Sequence, residues 1–563
     1  MVTFPRHMQG NITTKARLDF SDNNIPWENV LSFSSDNANV MAGMNKGVAG
    51  LISRDHPQVD MAGCGCHLLH LAAQKGARAL EANMPCSAED ALIALYYYID
   101  KSADRIKKLE AEQVALHMKP HKILKLVSTR WLGLGTCLSR FLDKWEAIEN
   151  FVRSEIDLQR VNFEKAKQRA EKKNSSSSNP TTATKIAKQP TSTSTSKSAA
   201  AVAPPSKPSS KSTSEPVGFD LSSYLFKQDH LSKKRKLNQE AKGKVEEAKR
   251  RAKDEEDFKN FLPGKLSAMY SFFNFQPTKM YCTFIQSAIP MFEVVNKVLQ
   301  KEAPLVHRLH SIVQDQLKRL MIRFVKPDLL TSDANLADVE FIDRTNQVSN
   351  EELMIGAAAR KLAKKLNSKQ LEVFFGDVRS FFEQSTLYIT KNMKVKDELL
   401  INASVADISL RASRKLSQPQ YFLDRFPILS AGADADDIEE EFLLYKVDSD
   451  INSDVISLNR AEDAWYAVAK LCDGNGSTKY KHLPNVMLGL LSIFHSNAEC
   501  ERLFSLVTKN KTKFRPNLCV KTLDALTTHK QKMFVMEKPC YQCTPSDKLV
   551  KCAKSTTSVK LSG

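Results

Sequence analysis

Residues 174–217 (NSSSSNPTTATKIAKQPTSTSTSKSAAAVAPPSKPSSKSTSEPV) contain no aromatic side chain and few large apolar ones. Such a stretch buries too little surface to offset the entropy of ordering a chain, about 1–2 kcal/mol per residue for the backbone alone. It reads as a disordered linker, so any core has to be assembled from the residues on either side of it. Its flanks, EKAKQRAEKK before and KGKVEEAKRRAKDEEDFK after, are charged helix formers without a clear apolar stripe and read as solvated helices or stalks.

Residues 29–35 form a short β-prone run ending at Asp36, and from Val40 the positions Met41, Met44, Val48 and Leu51 recur at helical spacing. Residues 58–66 read as a second strand, followed by HLLHLAAQKGARAL, a helix with a broad apolar face. The first 80 residues therefore read as a piece of an α/β sheet. Beyond them the period is almost entirely helical, with helices expected near 89–117, 134–172, 240–261, 280–301, 305–325, 350–390, 461–472 and 518–535. The acidic patch Asp434 to Glu441 reads as a surface loop.

The chain of 563 residues has room for about three or four domains. Its 82 Lys and Arg against 64 Asp and Glu give a net charge of +18. Residues 161–260 hold 22 basic and 12 acidic residues, and 505–563 hold 12 and 3, so these two segments carry the whole excess. Clustered basic charge points toward phosphate-bearing partners. No window approaches 18 uncharged apolar residues and the first residues lack the apolar core of a signal peptide, so no membrane partner is expected and the setting is intracellular. The 11 scattered cysteines are too sparse for a disulfide scaffold and read as reduced thiols. Lys233-Lys234-Arg235-Lys236 is either a nuclear import signal or a solvated charge run.

Five stretches contain residues able to do chemistry. Asp36, at the carboxyl end of a strand and before a helix, either meets a ligand there or caps the helix. Cys64 and His67 form a Cys-x-x-His pair at a strand-to-helix junction; zinc needs about four ligands, so a core cysteine and a satisfied histidine are the simpler reading. The pair Cys540 and Cys543 is isolated in a basic tail. In Ser128-Thr129-Arg130-Trp131 a guanidinium that can pair with phosphate adjoins a ring that can stack on a base, or pack in a core. In Ser496-Asn497-Ala498-Glu499-Cys500-Glu501-Arg502-Leu503-Phe504-Ser505, Ser496 and Glu499 match a capping box, which leaves Glu501 for a metal or an ion pair.

The order Ser-Asp-Asn-Ala-x-x-Met, Cys-x-x-His-x-Leu-x-Leu, Thr-Arg-Trp, a long helical stretch with Trp465, and Ser-x-Ala-x-x-Glu-Arg-x-Phe-Ser resembles the hAT superfamily of DNA transposases (hobo, Activator, Tam) over roughly residues 29–160 and 260–535. The resemblance implies a fold that is α/β plus mostly α: a partial RNase H-like core interrupted by a large helical insertion. It implies a partial RNase H-like segment at 1–80, the insertion at 81–173 and 218–430, and a C-terminal dimerisation region at 431–540 that completes the core, with a basic tail at 541–563. By position, Asp36 and Glu501 match the second and third of three carboxylates that hold Mg2+ or Mn2+ in the active family members. Cys64 and His67 match the family's Cys-x-x-His, Arg130 and Trp131 its DNA-end contact, and Trp465, Ser496, Arg502, Phe504 and Ser505 fall in the dimerisation region.

The family's first Asp lies tens of residues before the second, whereas 35 residues precede Asp36 here, and Asp19 and Asp22 sit in a turn-like stretch. The expectation is an N-terminally truncated, catalytically inactive hAT-derived protein. It would reside in the nucleus, form a homodimer or higher oligomer, and contact DNA weakly and without sequence preference. The alternatives are an active transposase whose first Asp and strands lie upstream, and a domesticated transcription or chromatin regulator.

Overall fold

A computed structural model describes residues 24–43, 47–126, 131–176, 242–331, 335–512, 514–535, 542 and 544–561. Asp19, Asp22, Arg130, the linker beyond residue 176, Lys233-Lys234-Arg235-Lys236, Cys540 and Cys543 lie outside these residues. Among the described residues the protein is mostly helical and carries one sheet, of two parallel strands. The expected coarse class, a small α/β element in a mostly helical chain, matches this.

The chain divides into two compact units: Met1–Leu92, Ile123–Asp143 and Phe275–Gly563 form the first, Ile93–Lys122 and Lys144–Asn274 the second. This differs from the expected helical blocks 81–173 and 218–430. The helices Thr278–Leu299 and Ser368–Asn392 belong with the sheet because they bury apolar faces against the helix that comes after the second strand.

In the first unit β1 (Ser32–Ser35) pairs in parallel with β2 (Asp60–Gly63), Ser32 opposite Asp60 and Ser35 opposite Gly63. Parallel neighbours need a crossover, supplied here by a connection containing α1 (Val48–Asp55). Val48 and Ile52 of α1 pack with Val59 against Phe33 and Met61, so one face of each strand is covered by the crossover. From β2 the chain turns at Cys64 into α2 (Gly65–Leu80), whose buried Leu69, Ala72, Ala73, Gly76, Ala77 and Leu80 recur every three or four residues.

Of the helices α3 (Leu134–Asp143), α4 (Thr278–Leu299), α5 (Val306–Met321) and α6 (Ser368–Asn392), α4 and α6 pack on that face, with α3 behind them on α4 and α5 on both α4 and α6. Small residues let α2 and α6 nearly touch. A Cβ on Gly76 would stand 2.7 Å from the Phe381 carbonyl oxygen and collide with Ser385, and Ser385 Oγ donates to the Ala72 carbonyl at 3.2 Å. Phe284, Phe374, Phe381 and Phe382 from α4 and α6 meet edge to face behind this contact.

A second core forms around Trp465 on α7 (Ala461–Val468) and α8 (Leu483–Leu491). The indole is fully buried, 5.0 Å from the Tyr445 ring, and donates its N–H to the Ala406 carbonyl at 2.9 Å. The acidic patch expected as a loop is instead the start of a helix, Ala435–Val447. Ile438, Phe442 and Tyr445 lie on one buried stripe of it, and the Glu441 carboxylate accepts the N–H groups of Lys481, His482 and Leu483 at the start of α8. The chain continues into α9 (Ala498–Asn510) and α10 (Val520–Val535), which pack on each other.

The second unit is helical. Trp145 packs on Phe273 at 5.2 Å, and buried Glu155 accepts hydrogen bonds from Tyr98 and Lys108. Helix Trp145–Ser176 pairs with the helix at 242–261 through Phe163 against Phe258, Arg160 to Glu255 and Lys167 to Asp254. The expected stalk helices flanking the linker are therefore partners of each other. Among the described residues, no helix is long and apolar enough to cross a membrane.

Candidate functional site at the sheet end

Parallel strands leave a sheet at the same end, so the residues just past β1 and β2, Asp36 and Cys64, emerge side by side there. The third contributor comes from the far end of the sequence. Phe494 N–H donates to Ser32 Oγ at 3.4 Å, Ser34 Oγ donates to Asn497 Oδ1 at 2.5 Å, and Asn497 N–H donates to Cys64 Sγ at 3.4 Å. Ser496 Oγ donates to the Leu299 carbonyl at 2.7 Å, which ties the same segment to the end of α4.

These bonds correct the expected capping box. The residue before α9 is Asn497 rather than Ser496, its side chain makes no capping bond, and Ser496 Oγ accepts the Ala498 N–H at 3.5 Å. Ser496 instead spends its hydroxyl hydrogen on α4, and Asn497 its amide group on the sheet. The helix begins where expected, but its first turn is positioned by tertiary bonds.

Glu501, on the first turn of α9, lines a cleft of about 610 Å³. Cys66, His67 and His70 of α2 form one wall, Leu132, Gly133 and Thr136 another, and Glu293, Asn296, Lys297 and Gln300 at the end of α4 a third. His70 Nδ1 accepts the Leu132 N–H at 3.5 Å, so the turn Trp131–Gly133 is held against α2 at the cleft. Of the expected DNA-end pair, Arg130 lies outside the described residues, and for Trp131 only the backbone of this turn is described.

Asp36 does not line the cleft. Its side chain is exposed, and Oδ1 accepts the Ala38 N–H at 3.4 Å, the geometry of the capping alternative. Thiol, imidazole, amide and carboxylate groups around the cleft are a mixed donor set, unlike the oxygen cage that Mg2+ or Mn2+ takes. Among the described residues no group of three or more His, Cys, Asp and Glu is gathered closely enough to hold a metal ion. No metal-dependent step is therefore derived for Asp36 and Glu501.

Cys64 is buried and His67 half-buried. The Cys64 thiol is drawn below its ordinary value, first by the Cys66 S–H hydrogen bond and against burial, then by the N–H groups of Asn497 and His67. Cys66 is pushed up by donating that bond and by burial. Sequence reasoning found Cys64, His67 and Glu501 but passed over Cys66, Asn497, Glu293 and Lys297. The signal for the last two was present: Glu293 and Lys297 are four residues apart on α4, off its apolar stripe.

The residues expected in the dimerisation region separate into three groups. Trp465 is core. Ser496 and Arg502 are tied inward, the guanidinium of Arg502 donating to the Gln300 carbonyl at 3.0 Å and lying 3.5 Å from Glu302. Phe504 and Ser505 face solvent, Phe504 being 45% exposed. No protein-family model matches the chain, and no curated protein matches it.

Proposed function

We propose that this is a hAT-transposase-derived protein, with a partial RNase H-like core, that works through self-association and non-specific contact with DNA in the nucleus rather than through strand cleavage. The observation that carries the reading is the surface of the α9–α10 hairpin. Ala498 is the buried residue of α9, and along the hairpin Phe504, Phe514 and Val520 are 45%, 97% and 80% exposed. The apolar stripes of α2 and α5, by contrast, are buried. A helical hairpin that leaves Phe504, Phe514 and Val520 in water is the kind of face a second copy covers. The hAT resemblance assigns dimerisation to this same region, and the junction of β1, Cys64 and Asn497 supports that resemblance by joining its first and last motifs.

DNA contact is supported by charge. Lys521, Lys530 and Lys532 are exposed on α10, inside the basic segment 505–563. The test is the full chain carrying Phe504→Asp and Val520→Asp together, followed by light scattering. Loss of the dimer with an unchanged melting temperature supports the reading, and a dimer that survives both charges contradicts it.

A further inference from the structure

Cys64 and Cys66 stand where β2 passes into α2, one residue apart, 2% and 9% exposed. The Cys64 sulfur receives the backbone N–H of Asn497 at 3.4 Å, and its thiol is drawn below its ordinary value by the neighbouring Cys66 thiol. An N–H directed at the sulfur favours the thiolate, the reactive form of cysteine. Cys66 lines the 610 Å³ cleft, which gives a small solute a route to the pair. The Asn497 bond gives the pair a mechanical role as well, because that sulfur is one of the contacts holding the start of α9 to the sheet.

We infer that Cys64 and Cys66 form a peroxide-sensitive dithiol whose closure to a disulfide loosens the start of α9. The Cys64 thiolate attacks one oxygen of hydrogen peroxide; the O–O bond breaks, the leaving hydroxide takes a proton to become water, and Cys64 becomes a sulfenic acid. Cys66 then attacks the Cys64 sulfur; the S–O bond breaks and a second water leaves with the Cys66 proton. Two thiols and one peroxide thus give one disulfide and two waters. The disulfide sulfur carries no charge, so the Asn497 N–H loses a charge-assisted acceptor.

The experiment treats the full chain with a small excess of hydrogen peroxide, then applies non-reducing peptide mapping and amide hydrogen exchange. The expected product lacks two hydrogens on the peptide holding Cys64 and Cys66 and is reversed by dithiothreitol. Exchange over residues 497–503 should rise by up to about tenfold, the scale of one net hydrogen bond. Cys66→Ser keeps the Cys64 sulfur in place and should show neither change. A pair that stays fully alkylatable while exposed Cys472 or Cys519 oxidises overturns the dithiol. A disulfide formed with unaltered exchange at 497–503 overturns the loosening of α9.

Discussion

Ser34 Oγ donates to Oδ1 of Asn497 at 2.5 Å, joining residues 463 positions apart. The strand that ends at Ser35 and the helix that carries Glu501 are built against each other by this bond, with the Asn497 N–H on Cys64 beside it. If the bond is part of the scaffold, Ser34→Ala and Asn497→Ala each cost about 1 kcal/mol. The double variant should cost less than their sum by about 0.5–1 kcal/mol. Denaturant melts of the four proteins check this, and strict additivity would show the two side chains to be energetically independent.

Trp465 belongs to the region that the hAT resemblance gives to dimerisation, yet it is fully buried with its N–H on the Ala406 carbonyl. Trp465→Phe leaves that carbonyl without its donor and removes buried volume, at a cost of about 1–3 kcal/mol. Self-association measured well below the melting temperature should stay as in the wild type. A weakened dimer in a variant that is still folded would move Trp465 from the core to the interface.

Glu81 gives the fold a pH dependence. Its Oε1 accepts the Ala88 N–H at 2.7 Å, and burial, opposed by this bond and reinforced by Glu89 and Asp90, raises its carboxyl from 4.5 to about 7. The native state therefore binds this proton more tightly than the unfolded chain. The stabilisation is fully present below 4.5 and is lost as pH rises through about 7. Glu81→Gln keeps an acceptor for Ala88 without the charge, so it should raise the melting temperature at pH 8 and change it little at pH 4.5. An equal shift at both pH values would refute the assignment.

DNA affinity carried by exposed lysines has to fall with salt. Even about two neutralised phosphates lose about tenfold in binding between about 50 and 200 mM salt. Replacing Lys521 and Lys532 with Ala should lower the logarithmic salt slope by about one for each phosphate that is no longer neutralised, with little dependence on duplex sequence. Fluorescence anisotropy with two unrelated duplexes measures both. Salt-independent binding would exclude the charge-based interaction.

Helix positions were legible in the sequence because apolar spacing is local information. The helices expected near 280–301 and 305–325 are observed at Thr278–Leu299 and Val306–Met321. The Asp434–Glu441 error has the same root. Acidic composition suggested a loop, while the stripe Ile438, Phe442 and Tyr445 shows only when the window runs on to Val447. The site was half legible. Cys64, His67 and Glu501 stood out as chemistry-bearing types. What joins them is long-range: Ser496 resembles a cap, and only the fold directs its hydroxyl to Leu299 and makes Asn497 the link to the sheet.

Self-association through α9 and α10 is tested most directly by sedimentation equilibrium of the full chain at tens of micromolar in moderate salt. The exposed Phe504, Phe514 and Val520 predict a species of twice the 63.2 kDa chain mass that dissociates on dilution. A single 63.2 kDa species across the whole concentration range would contradict it.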